Sequence, residues 1–217
     1  MTRILIIIAA TGIGAAIGVW TQKLLAPLTY RLEEEQELAA PGSRVWVIVV
    51  SGLALGSVTA WLAYADHWLL ALVVLPLTLA GPALAAVDLD VMRLPNKILG
   101  PVALLTLAAL AVVSAWSSDW NVAIRSLGGG LLAGATFWLL SVVTRGGVGF
   151  GDVKLAALVG LVAGAVGLAT VWWALALGSL GALIWAKLGR RKGPLPYGPA
   201  LLAGTLFAVI LSGLGPG

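Results

Sequence analysis

From Leu155 to Ala186 the chain carries no charged side chain, and this uncharged run constrains the fold more than any other feature. A helix needs about 20 apolar residues to cross a bilayer. The run is too long for a single crossing, and Gly164 and Gly167 lie near its middle. We therefore divide it into a short helix over about 153–165 and a second helix over about 168–187.

Other apolar runs predict further membrane helices near 4–22, 45–64, 68–87, 98–116, 122–143 and 198–214. The chain is 60% hydrophobic and 10% charged, whereas soluble domains carry roughly 25% charged residues. This composition excludes a water-soluble protein. The sequence predicts an all-α, polytopic transmembrane helical bundle of about eight spans, with six or seven as alternatives. We expect a single integral-membrane domain over 1–217.

The basic residues predict how the bundle is oriented. With eight spans, all but two of the thirteen Lys and Arg residues fall on one side of the membrane, the exceptions being Arg3 and Arg125. Loops rich in Lys and Arg stay in the cytoplasm, so that side is predicted to be cytoplasmic. The net charge of +4 therefore belongs to membrane loops, and we expect no nucleic-acid partner.

The reactive residue types are few. The chain has no cysteine and one histidine, His67. This excludes disulfides, a thiolate nucleophile and a thiolate zinc site. It also leaves little for a histidine-based metal cluster or a Ser-His-Asp triad, and we expect no metal.

The nine acidic residues are more informative. Four glutamates lie within 33–37, in the polar loop 23–44, and are expected to form a solvated surface segment. Asp66 and Asp119 fall in short outer loops. The remaining acids are Asp88, Asp90 and Asp152. Two predicted spans separate Asp88 from Asp152, so both should lie at the same membrane face. Ionisable residues at membrane depth are costly and indicate a functional site.

Two opposed carboxyl groups favour one chemistry. An ionised aspartate takes a proton from water, while a protonated one donates to the scissile carbonyl, and close carboxyl groups share a proton. This is aspartic proteolysis at a membrane boundary. The residues alone also allow a small proton- or cation-coupled transporter component using Asp88 and Asp152 as a relay, or a structural ion pair of Asp152 with Lys154. Relay acids lie in mid-span, whereas these aspartates are predicted at helix ends.

Three motifs stand in a defined order. Residues 87–96 read Val-Asp-Leu-Asp-Val-Met-Arg-Leu-Pro-Asn, residues 149–154 read Gly-Phe-Gly-Asp-Val-Lys, and residues 194–199 read Pro-Leu-Pro-Tyr-Gly-Pro. Together they resemble the motifs of the type IV prepilin peptidases, which are intramembrane Gly-x-Gly-Asp aspartic proteases. The resemblance covers about residues 80–205.

The resemblance assigns roles residue by residue. It implies that Asp88 and Asp152 are the catalytic pair, and that Gly149 and Gly151 keep the approach to the second aspartate open. Lys154 matches the family lysine. A further position, Asp90, matches a less essential acid, for which a solvated or water-bridging role and a catalytic role both stay open.

The resemblance also implies a function. Such an enzyme is expected in the bacterial inner membrane, cleaving the basic leader of a prepilin or pseudopilin after glycine at the cytoplasmic face, for pilus or type II secretion assembly. The peptidase reaction needs no cofactor. Larger members carry two Cys-x-x-Cys pairs in the first loop, and many methylate the product with S-adenosylmethionine. Here the loop 23–44 has no cysteine, so a zinc subdomain is excluded and methylation is left open. The glutamates at 33–37 offer one means of attracting a basic leader.

The helix ends predict which aspartate is ionised. Asp152 begins a helix, where the dipole favours an anion, and Lys154 is close in sequence, whereas Asp88 ends a helix. The sequence therefore predicts Asp152 as the ionised base and Asp88 as the acid. Finding Lys154 turned away and Arg93 against Asp88 would reverse this assignment.

Overall fold

The computed structural model describes residues 1–145, 147–188 and 196–213. Within them the chain forms eight α-helices and no strand, as the all-α prediction requires. The helices are α1 Thr2–Leu25, α2 Val45–Ala65, α3 Ala71–Val91, α4 Asn96–Ser117, α5 Trp120–Val143, α6 Phe150–Val166, α7 Leu168–Leu188 and α8 Tyr197–Ser212. The basic residues Arg190, Arg191 and Lys192 and the motif residues Pro194 and Leu195 lie outside the described ranges.

Six of these helices, α1 to α5 and α7, are long and apolar enough to cross a membrane. The other two are shorter, α6 with 17 residues and α8 with 16. The polytopic helical bundle is therefore confirmed, and the chain is a multi-pass membrane protein. The predicted orientation of the bundle stays a prediction.

The long uncharged run is divided where the sequence predicts. α6 ends at Val166, Gly167 is extended at φ 170° and ψ 154°, and α7 begins at Leu168. A second boundary differs from the prediction. α3 continues to Val91 rather than ending near residue 87, so Asp88 lies within its last turn.

Glycines allow neighbouring helices to pack with their backbones close together. A Cβ atom on Gly129 of α5 would lie only 2.5 Å from the carbonyl oxygen of Gly160 on α6. One on Gly164 would lie 2.5 Å from the carbonyl oxygen of Arg125. These contacts run in opposite chain directions, so α5 and α6 are antiparallel. Small residues at such interfaces are typical of membrane bundles.

α6 is the most enclosed part of the bundle. Its side chains Leu155, Leu158, Val159 and Val162 are at most 2% exposed and belong to the largest buried apolar cluster. α3 contributes Leu84 to the same cluster. The two helices that carry Asp88 and Asp152 therefore pack into one core, which fixes the relative positions of their ends.

Candidate active site

Asp88 is held at the end of α3 by the start of another helix. Its side chain is buried, at 2% exposed, and its Oδ2 accepts a hydrogen bond of 2.9 Å from the backbone N–H of Gly198. Gly198 is the second residue of α8, which begins at Tyr197. Backbone N–H groups in a first helical turn have no partner within the helix, and they favour a negative charge. α8 therefore offers Asp88 a site suited to its anion.

Glycine at position 198 is required by this close approach. A Cβ atom there would lie 2.7 Å from Oδ2 and 3.1 Å from Cγ of Asp88. Any larger residue would push the helix start and the carboxyl group apart. Gly198, from the third sequence motif, therefore contacts Asp88, from the first motif, and helps to position it.

Asp152 lies in the first turn of α6, whose N-cap is Gly149. Its Oδ1 is buried and has no hydrogen-bond partner among the described residues. The preceding Gly151 packs against the α3–α4 connection, since a Cβ atom there would lie 3.2 Å from Cβ of Leu94. By contrast, a Cβ atom on Gly149 would meet Asp152 Oδ2 at an ordinary 3.5 Å. Close packing thus explains Gly151, but no clash explains Gly149.

Both carboxyl groups line one cavity of about 520 Å³. Its walls are the end of α3 with the connection to α4, the first turn of α6, and one residue of the α1–α2 loop. The lining residues are Glu35, Asp88, 91–96, 149–152 and Lys154. The structure therefore brings together Asp88, Asp152, Gly149, Gly151 and Lys154, and Asp90 is not part of this lining.

Lys154 does not occupy the position that the sequence predicts for it. Its Nζ donates a hydrogen bond of 2.8 Å to Oδ1 of Asn96 at the start of α4, and it lies 5.0 Å from the ring centroid of Phe150. The salt bridges found among the described residues do not include Lys154. Its charge is therefore directed across the cavity rim, and it joins α6 to α4.

Asp90 is neither solvated nor exposed to the cavity. Its carboxylate forms a salt bridge of 2.7 Å with Arg31 and a longer one of 3.5 Å with Arg44. The hydroxyl of Tyr30 donates to Asp90 and accepts from Arg44. The Asp90 side chain is only 6% exposed. Of the roles left open by the sequence, the solvated one is wrong.

One of the four glutamates in the acidic loop is not solvated as predicted. Glu33, Glu34 and Glu37 are exposed, as expected. Glu35 instead accepts hydrogen bonds of 2.9 and 2.7 Å from the guanidinium of Arg93. These bonds hold the pKa of Glu35 below its usual range. Arg93 is thereby engaged with the loop rather than with Asp88.

The described residues contain no group of three or more His, Asp or Glu side chains that could hold a metal ion. What sequence reasoning missed are Gly198, Glu35 and the arginines around Asp90. Proximity in sequence gave no signal for these contacts, because each joins residues 46 or more positions apart.

The fold and the cavity define a class, namely polytopic helical membrane proteins in which two helices bring carboxyl groups to one cavity. The model of the type IV leader peptidase family matches residues 73–214, which include both aspartates. The chain therefore belongs to the type IV leader peptidase family, as its motifs predicted.

One curated relative is the prepilin leader peptidase/N-methyltransferase of Bacillus subtilis (strain 168). The chain is 34% identical to it over 130 residues, which are 58% of this chain and 50% of that protein. The chain thus spans about half the length of the curated relative it matches. No solved structure matches the chain.

Proposed function

We propose that this protein is a membrane aspartic endopeptidase that removes the leader of type IV prepilin-like precursors. The observation that carries the proposal is the single cavity shared by Asp88 and Asp152, in a chain of the type IV leader peptidase family. Family membership supports prepilin processing, and the cavity supplies the two carboxyl groups that hydrolysis without a metal needs.

The contacts favour Asp88 as the ionised base and Asp152 as the protonated acid. Asp88 accepts an N–H from the start of α8, and a hydrogen bond of this kind favours the charged form. Asp152 has an enclosed, unpartnered Oδ1, and Lys154 is bonded to Asn96. Of the two findings that would reverse the assignment from sequence, only one is observed: Lys154 is turned away from Asp152, but Arg93 does not contact Asp88. The assignment is reversed because of the hydrogen bond from the start of α8 to Asp88, a contact that the assignment from sequence did not include.

In this assignment the reaction proceeds by general acid–base catalysis. Asp88 takes a proton from a water molecule, which attacks the scissile carbonyl carbon. Asp152 donates its proton to the carbonyl oxygen, giving a neutral tetrahedral intermediate. Collapse of the intermediate breaks the C–N bond. The proton held by Asp88 passes to the leaving amine, and one hydroxyl proton of the intermediate returns to Asp152 as the new carbonyl forms. Two carboxyl groups that share a proton in this way titrate as a pair.

The proposed substrate shares the bilayer with the enzyme. It is a prepilin or pseudopilin with a basic leader, cut after glycine just before its apolar helix. The proposed location is the bacterial inner membrane with the cavity at the cytoplasmic face, because the basic residues concentrate at that end. We treat 1–217 as one peptidase domain, with 23–44 as a connecting loop.

Methylation is not part of the proposal. The relative from Bacillus subtilis bears N-methyltransferase in its name, and such activity would require a site for S-adenosylmethionine. The cavity residues described above are assigned to hydrolysis, and none of them is assigned to that cosubstrate. The mass of the product N-terminus, with or without one methyl group, tests this separately.

The test is cleavage of a precursor with a basic leader and a Gly-Phe junction, co-expressed in membranes with the enzyme. Asp88→Asn and Asp152→Asn should each abolish cleavage while the protein stays folded and membrane-inserted. Asp66→Asn, an outer-loop aspartate, is the matched control and should cleave normally. The Bacillus subtilis relative run in parallel confirms that the precursor is competent.

Normal processing by either cavity variant would refute the two-aspartate mechanism. If the relative cuts the precursor and this chain does not, the peptidase proposal fails. Proton-flux measurements on the same membranes would then examine the relay alternative.

A further inference from the structure

We propose that Asp90 is a positioning residue, which ties the α1–α2 loop to the end of α3 and so forms one wall of the cavity. The loop, residues 26–44, is called the strap below. The proposal rests on the proposed function for its activity measurement, and it assigns Asp90 a role distinct from that of Asp88 although the two lie in the same helix turn.

The tie is a buried, two-pronged ion pair. Arg31 donates from Nε to Oδ2 of Asp90 at 3.0 Å and from Nη2 to Oδ1 at 2.7 Å. The two side chains are 2% and 6% exposed. Paired guanidinium–carboxylate contacts of this kind fix orientation as well as charge. Both oxygens of Asp90 are therefore engaged, and neither is free to act on a substrate.

The same arginine, Arg31, also binds two backbone carbonyl groups of the strap. Arg31 also donates to the carbonyl oxygens of Leu38 at 3.0 Å and Ala39 at 2.9 Å. Arg44, at the other end of the strap, donates to the carbonyl oxygen of Leu25 at 2.8 Å. One carboxylate thus balances two buried guanidinium groups that hold both ends of the strap. Removing it would leave these charges buried without their counterion, which strongly destabilises such sites.

A second attachment brings the strap to the cavity. Arg93, which follows α3, donates to Glu35 and, at 3.0 Å, to the carbonyl oxygen of Tyr30. Glu35 lines the cavity together with Asp88 and Asp152. Because Asp90 and Arg93 stand on either side of the end of α3, the strap is fastened at two points beside the helix end that carries Asp88.

A double-mutant cycle distinguishes positioning from chemistry. Asp90→Asn and Arg31→Gln are each expected to lower kcat/KM by at least about tenfold, because each breaks the same buried pair. The double variant should lose no more than the worse single variant, since the two changes remove one interaction. The shape of the pH profile of kcat should stay that of the parent protein. Arg145→Gln, an exposed arginine after α5, is the matched control.

A second measurement needs no activity. Exposed glutamates of the strap, Glu33, Glu34 and Glu37, offer cleavage sites to a glutamate-specific protease. In membranes without prepilin, both single variants should be cut there several times faster than the parent protein and the Arg145→Gln control. If Asp90→Asn fails to insert, Arg31→Lys serves instead, because lysine keeps the charge but lacks the two-pronged geometry.

Opposite results would overturn the proposal. If Arg31→Gln keeps parental cleavage and protease resistance while Asp90→Asn is inactive, Asp90 acts in the chemistry itself. Losses that multiply in the double variant would lead to the same conclusion. If the parent protein cuts no precursor, the proposed function fails, and the protease measurement still decides whether Asp90 ties the strap.

Discussion

Substituting Gly198 by alanine tests how α8 acts on Asp88. The added methyl carbon would lie 2.7 Å from Oδ2 and 3.1 Å from Cγ of the aspartate, too close for either to remain in place. The 2.9 Å hydrogen bond from the backbone N–H of Gly198 must then lengthen or break. We expect the substitution to displace the Asp88 carboxyl group and weaken its hydrogen bond, while the carboxyl group itself stays in the protein.

The expected magnitude follows from the kind of bond that is lost. A hydrogen bond to a charged group contributes about 1.5–3 kcal/mol. Each 1.4 kcal/mol corresponds to a factor of ten. If Asp88 must be ionised and oriented in the transition state, kcat should fall about 10- to 100-fold. KM should change much less, because the contact is made to the enzyme's own carboxyl group.

The assay is the initial rate of leader cleavage in detergent micelles, with thermal unfolding measured in parallel. Gly181→Ala is the control on α7, where a Cβ atom would lie an ordinary 3.5 Å from Cβ of Ala200 near the start of α8. It should keep parental activity. A Gly198→Ala variant that is folded and cleaves within about threefold of the parent would refute the view that the start of α8 supports the Asp88 anion.

Three further predictions concern other contacts of the site and bundle. Lys154→Met should lower kcat by about 2- to 10-fold, since one hydrogen bond contributes about 0.5–1.5 kcal/mol, and the loss should not add to that of Asn96→Leu in the double variant. Gly160→Leu should lower the Tm in detergent, because overpacking a tight interface costs about 1–3 kcal/mol, and an unchanged Tm would contradict the close α5–α6 packing. Glu35→Gln should lower the Tm near neutral pH but not in acid. The pKa of Glu35 is depressed by Arg93, so its stabilisation is present above the unfolded-state pKa and is lost as pH falls through the folded-state pKa.

The helices could be predicted because membrane burial leaves a direct mark on composition. An uncharged run has to be buried in lipid or protein, and its length fixes the number of crossings. The division near Gly167 followed from the length of the run together with Gly164 and Gly167 near its middle. The pairing of Asp88 with Asp152 followed from counting spans between them, since an even number of crossings returns the chain to the same side.

The contacts of the charged side chains could not be predicted in the same way. Lys154 is two residues from Asp152, and proximity in sequence suggested a pair, but Lys154 reaches Asn96 on another helix. Glu35 meets Arg93, and Asp90 meets Arg31, across nearly 60 residues. A sequence shows that charges must be neutralised near a membrane, but the choice of partner depends on how the helix ends are arranged in space.

The pairing of Arg93 with Glu35 has a consequence for the two aspartates. Arg93 lines the same cavity as Asp88 and Asp152, and a free guanidinium there would favour ionisation of both carboxyl groups. Two ionised aspartates have no proton to donate to a carbonyl oxygen, so the proposed mechanism would stop. Because Glu35 accepts two of the hydrogen bonds that Arg93 donates, that positive charge is balanced outside the aspartate pair. The strap therefore supports the proposed chemistry in two ways, by closing one wall of the cavity and by keeping its nearest arginine occupied.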